Sequence, residues 1–208
     1  KEYLPENANY SSFKQVNLLS QQKVDPTISV DIIKSSTWAV ILSIIGIFFY
    51  ILFRFRSLGY SIGAIISTAH DAVMMLVIYS LLYGILPFSM EIDQTFIAAI
   101  LTVIGYSLND TVVIYDRLRE YLAEKDNKTP MNQIMNKAIN STLSRTFVTG
   151  IATLISLSIL FVFGGESLRS FSFAMIIGIV IGTYSSIFVA APIMYDFERL
   201  RKKKEITE

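Results

Sequence analysis

TFIAAILTVIGYSLNDTVVIY, residues 95–115, holds no lysine or arginine and a single acid, Asp110, set beside Asn109. A helix needs about 20 mostly apolar residues to cross a bilayer, and this stretch is long enough to do so. An ionisable group inside such a span costs roughly 3 kcal/mol on insertion scales and normally faces a bundle interior or a wet cavity. The stretch therefore predicts a membrane-crossing helix and, around Asp110, a polar seam within a bundle.

Four further apolar windows lie around it, at 37–53, 60–83, 146–163 and 170–195, with Gly59, Gly84, Pro87, Gly164 and Gly165 punctuating the gaps. The first and fourth are short, so their helices are expected to extend into flanking residues. Hydrophobic residues make up 52% of the 208-residue chain and charged residues 17%, with mean hydropathy +0.50. Soluble domains usually carry about 25% charged residues. The predicted class is an all-α membrane protein, a polytopic bundle of five transmembrane helices. The chain has no cysteine and one histidine, which excludes disulfides, thiolate metal sites and a multi-histidine metal centre. A net charge of +1 gives no global basic field to attract nucleic acid.

Basic residues set the orientation. Arg54 and Arg56 follow the first window, and Arg117, Arg119, Lys125, Lys128, Lys137 and Arg145 follow the third. Arg199, Arg201, Lys202, Lys203 and Lys204 fill the tail. Thirteen of the 18 basic residues thus fall on one side, which the positive-inside rule makes cytoplasmic. The N-terminus lies outside and the C-terminus inside. Residues 1–36 are expected to be the end of an external domain, 37–197 the five-helix domain, 116–145 a cytoplasmic loop and 198–208 a basic tail. The tail reads as a positive-inside anchor, with anionic lipid or the ribosome as other contacts. The loop holds an amphipathic helix near 131–143, with Ile134, Ala138 and Leu143 on one face and Asn132, Asn136 and Asn140 on another. The opening residues resemble no signal peptide and begin at Lys1, and an odd span count with an external N-terminus calls for a preceding transmembrane segment.

Asp110 needs a counter-charge. Spans three and four are antiparallel, and Arg145 immediately precedes the fourth apolar run, so the two approach the same depth. Around them, Thr102, Tyr106 and Asp110 recur every four residues, as do Gly59, Gly63, Ser67 and Asp71. Arg145, Thr149, Thr153 and Ser156 follow a helical stripe, and Gly178 and Gly182 allow close helix packing. His70 and Asp71 fall mid-span. Two readings of Asp110 stay open: an ion pair that locks the bundle, or a carboxylate that loads and releases a proton. Asn109, Tyr106, Thr149, His70 and Asp71 are candidate supporting polar residues. Tyr115 and Asp116 sit at a span end, where an interfacial tyrosine and a solvated acid are ordinary.

TVIGYSLNDTVVIYDRLRE (102–120), NSTLSRTFVTG (140–150), FGGESLRSFSFAMIIGIVIGTYSSIFVAAP (163–192) and AHDAVM (69–74) closely resemble the SecF family. That family, often fused to SecD, is an accessory membrane component of the bacterial Sec translocase within the resistance-nodulation-division superfamily. The resemblance covers about residues 24–197 and implies the last five spans of a six-span unit, preceded by the end of a periplasmic domain. It implies roles in proton transport for Asp110, the acid of the GYSxND motif, and Arg145, the base of the SRT motif. The implied job is proton-driven promotion of preprotein export at the bacterial inner membrane, without covalent chemistry or a cofactor, protons being the coupling ion. The implied partners are SecD, separate or fused upstream, the SecYEG translocon, YajC, YidC, unfolded preprotein and membrane lipid.

Other functions compete. A small-molecule exporter of the same superfamily would keep the proton residues. An intramembrane aspartyl protease would need a GxGD motif, and residues 105–110 read GYSLND. A rhomboid-type serine protease would need a GxSG motif to accompany His70. A passive translocon scaffold remains as the non-transporting alternative.

Overall fold

The structure, a computed structural model of the chain, describes residues 26–88, 90–124 and 129–207. Among the described residues every regular element is helical: α1 (Pro26–Phe55), α2 (Leu58–Leu82), α3 (Gln94–Ala123), α4 (Met131–Phe163), α5 (Glu166–Ser185), a π-helical turn (Ser186–Ala190) and α6 (Ala191–Thr207). Five segments are long and apolar enough to cross a membrane: Lys34–Phe55, Leu58–Leu82, Gln94–Ala123, Met131–Phe163 and Leu168–Arg201. The last runs from α5 through the π turn into α6. The fold is the expected all-α bundle.

The chain divides into two compact units, Lys1–Ser35 and Ser36–Glu208. Most of the expected external remnant, residues 1–25, lies outside the described residues. From Pro26 onward the chain is already helix, with proline at the first helical position, where its missing N–H costs no hydrogen bond. The link over 116–145 also differs from expectation. α3 continues to Ala123 through the helix-favouring sequence RLREYLA, and α4 starts at Met131 and passes unbroken through Arg145. The amphipathic segment is therefore the polar opening of α4. Ile134, Met135 and Ala138 turn inward there, while Asn132, Asn136 and Asn140 stay exposed. Lys125 and Lys128 lie outside the described residues, as do the side chains of the tail from Lys202 onward.

Local chemistry sets the corners. Arg56, at φ 54°, occupies the left-handed region and closes α1 against α2 in a two-residue link. Gly84, at φ 77°, makes the corresponding turn after α2, where a Cβ would be strained. The Asp93 side chain accepts from the Phe96 N–H at 2.9 Å and caps α3.

α3 is the central helix and packs against α2, α4, α5 and the π turn, most extensively against α5. Its inward face carries Val103, Ser107, Asp110, Thr111, Ile114 and Leu118. Gly178 and Gly182 of α5 seat directly on Val103 and Ser107, the close approach that their four-residue spacing predicts. Among the described residues, α1 buries Ile47, Ile51 and Phe55, all in its second half. Phe55 stacks on Tyr60 with centroids 5.0 Å apart, and both meet Tyr115 edge-on. Arg54 pairs with Asp116 at 2.9 Å beside this ring cluster.

A candidate proton site in a buried polar seam

Between α2, α3 and α5 the bundle is lined with small polar groups rather than hydrocarbon. On α2, Ser61, Ser67, Thr68 and Asp71 are buried; on α3, Ser107, Asp110 and Thr111; at the end of α5, Ser185, and at the start of the π turn, Ser186. Several hydroxyls are satisfied along their own helix, as when Thr68 donates to the Ala64 carbonyl and Thr111 to that of Ser107. Others cross between helices. Ser67 and Ser185 are 3.1 Å apart, and Ser107 Oγ donates to Asp71 Oδ2 at 2.6 Å.

Asp110 is 4% exposed, and its Oδ2 is buried with no hydrogen-bond partner. Buried polar atoms are normally paired, so an orphaned carboxyl oxygen inside a bundle calls for a physical account. Arg145 lies exposed on α4, and among the described residues no ion pair joins it to Asp110. Its charge reaches Asp110 through the field alone. The pair is thus two neighbours without a contact. The cause is a helical offset: Thr142, Thr146 and Gly150 form the buried stripe of α4, and Arg145 lies about 100° around from Thr146.

The same offset governs the supporting residues. Thr149 is exposed, and its hydroxyl donates to the carbonyls of Arg145 and Thr146. Tyr106 is half-buried, with its hydroxyl 3.4 Å from Thr153 Oγ1. Asn109 is exposed, and among the described residues no hydrogen bond joins it to Asp110, so it does not orient that carboxyl. Tyr106, Thr149 and Thr153 therefore belong to an outward polar face of α3 and α4, to which Thr102, Asn109, Arg145 and Ser156 also contribute. Asp71, in contrast, is 0% exposed and is held on both oxygens, by Ser107 and by His70 Nδ1 at 3.2 Å.

Tyr115 and Ser107 have roles that the sequence does not announce. Tyr115 is fully buried rather than interfacial, and its hydroxyl donates to the Ala190 carbonyl of the π turn at 3.1 Å. Gly63 leaves the space that this contact occupies, since a Cβ there would overlap the Tyr115 hydroxyl and the Ala190 oxygen. Ser107, the donor to Asp71, was likewise passed over. Its place one turn before Asp110 on the same face was the available signal.

Residues 5–200 match the family described as protein export membrane protein SecD/SecF, C-terminal. The chain belongs to this family. It is 50% identical over 182 residues to the protein translocase subunit SecF of Rhodothermus marinus, covering 88% of this chain and 58% of that protein. To the protein translocase subunit SecDF of Brucella abortus it is 44% identical, covering 89% of this chain and 23% of that protein. Among solved structures, SecDF from Thermus thermophilus, a translocon-associated membrane protein, superposes with a TM-score of 0.74 at 36% identity. That match covers 85% of this chain and 23% of the SecDF chain. The SecD/SecF-type bundle described here thus spans just over half of SecF and about a quarter of SecDF.

Proposed function

We propose that the chain is the membrane part of an accessory Sec translocase subunit, in which protons moving through Asp110 drive export of unfolded preproteins across the bacterial inner membrane. The observation that carries this reading is the buried, unpartnered Oδ2 of Asp110 in a bundle of the protein-export membrane family. A neutral carboxyl is tolerated in such a place far better than a bare carboxylate. Once Asp110 loses its proton, the Arg145 guanidinium is the neighbouring group that the charge draws inward. Protonation thereby selects between two packings of α3 and α4. Protons are the coupling ion, and no cofactor or covalent step is required.

The outward polar face of α3 and α4 supports a companion helix set. Asn109, Arg145 and Thr149 in membrane-spanning segments are poorly suited to lipid, so a protein surface covers them. SecD, separate or fused upstream, is the proposed companion, with SecYEG, YajC and YidC as further members of the assembly. The clustering of basic residues supports a periplasmic N-terminal end and a cytoplasmic C-terminal end.

Vesicles carrying the complete translocase test the reading. Preprotein release is expected to depend on the proton gradient and to lose that dependence in Asp110→Asn and Arg145→Met. Unchanged gradient dependence in both variants removes the proton role and leaves a scaffold.

A further inference from the structure

His70 and Asp71 lie on α2, which packs on α3, and are unused by the function proposed above. Three observations bear on them. Asp71 is fully buried, while its neighbour His70 is 31% exposed at the side chain, so the pair connects the bundle interior with its surroundings. Nδ1 of His70 faces Asp71 Oδ1, leaving Nε2 as the ring nitrogen that can exchange protons outward. Ser107, which donates to the other oxygen of Asp71, stands three positions before Asp110 on the buried face of α3. Helical side chains lean toward the N-terminal turn, so the Asp110 carboxyl is carried toward Ser107. Its Oδ2 is the buried oxygen without a donor.

We propose that His70 and Asp71 form a second proton-carrying centre of the relay, coupled to Asp110 by Ser107, a hydroxyl for which the two carboxyl groups compete. This rests on Asp110 being the proton site. A hydroxyl has one hydrogen to donate. In this structure Ser107 gives it to Asp71, and Asp110 Oδ2 goes without. A proton taken up at Nε2 of His70 is balanced by release of the Nδ1 proton to Asp71 Oδ1, which leaves a neutral imidazole and a neutral acid. Asp71 then loses the charge that holds the Ser107 hydrogen, and the hydroxyl is free to turn to Asp110 Oδ2. The donated hydrogen bond stabilises the charged form of Asp110 and so favours release of its proton. Loading the dyad and emptying Asp110 become linked steps.

α3 presents Ser107 and Asp110 on this face, and α5 has no ionisable side chain between Arg169 and Tyr184. The nearby α5 positions are Gly178, against Met75 and Val103, and Gly182, against Ser107. α4 contributes only the charge of Arg145, on the Asp110 side.

Infrared difference spectroscopy on the purified complete complex, between acidic and neutral pH, separates this inference from the function it deepens. Two titrating carboxylic C=O bands are expected, one lost in Asp110→Asn and the other in Asp71→Asn. His70→Gln is expected to shift the Asp71 band and to flatten the pH profile of gradient-driven release. Ser107→Ala keeps the Cβ that packs on Gly182, and in it the two bands are expected to titrate independently. A single band that vanishes in Asp110→Asn alone, with His70→Gln and Ser107→Ala matching the parent in pH profile, overturns the dyad and leaves Asp110 as the proton site. Gradient dependence that survives Asp110→Asn overturns both.

Discussion

A single missing Cβ decides how closely two helices of this bundle approach. At Gly178 an added methyl would overlap both Cγ atoms of Val103 and press on Met75, and at Gly182 it would come within 2.8 Å of Ser107 Cβ. Neither neighbour is the free end of a flexible chain, so α5 would have to move off α3. Gly178→Ala is expected to cost about 1–3 kcal/mol, the usual range for overpacking. Thermal unfolding in detergent checks this against Gly46→Ala, where nothing lies within 4 Å and no loss is expected. The glycine spacing was legible in the sequence because four-residue periodicity maps straight onto a helix face. Asp110 was legible too, since an acid in an apolar run has no inexpensive place except a bundle interior. The partner of each polar group was not. Sequence periodicity gives the angle of a residue around its own helix, but the rotation of that helix against its neighbours is set by packing. That rotation turned Arg145, Thr149 and Asn109 outward and put Ser107 and Thr146 inside.

At the scale of elements, the fifth span is unusual for its wide turn at Ser186–Ala190. Each helical residue turns the chain by about 100°, so the wide turn resets which face of α6 meets the bundle. With it in place, Ala191 and Met194 are fully buried, and Glu198 reaches the hydroxyl of Ser57 and packs on Gly59. The wide turn's Ala190 carbonyl is the one that Tyr115 holds. Deleting Ile187 is expected to restore ordinary α pitch and rotate α6 away from this register. The chain has no cysteine, so Ser57→Cys with Glu198→Cys makes a clean reporter. A short bismaleimide is expected to bridge the two cysteines in the full-length parent and not in the deletion; cross-linking of equal yield in both would show that the turn does not set the register. Nothing in SIFVA announces a wide turn, because the signal is a tertiary one: a buried tyrosine hydroxyl on another helix and a glycine that makes room for it.

Taken whole, the described bundle has two kinds of outer surface. One is apolar, as along Ile151, Ile155, Ile159 and Val162 of α4, and suits lipid. The other is the polar face of α3 and α4. If a companion covers that face, Asn109→Leu with Thr149→Leu is expected to leave the bundle folded while weakening its co-purification with the SecD part. Retention at parental yield would mean that the cover lies elsewhere. The five-span architecture was readable from hydropathy alone because membrane crossing constrains length and composition so strongly. The attachment of α1 was not readable, since its apolar run looks like the others. From Ser36 to Gly46 it has no fully buried residue, Val40 packing on the core only in part, while its last turns are fixed by the Phe55, Tyr60 and Tyr115 rings. A helix held most firmly at one end is a lever with its fulcrum at those rings. At 1.5 Å per residue the segment from Phe55 back to Ser36 is about 30 Å long, so a tilt of about 10° about the rings carries its outer end by about 5 Å. Small repackings around Tyr115, a turn and a half from Asp110, are thereby magnified on the opposite side of the membrane.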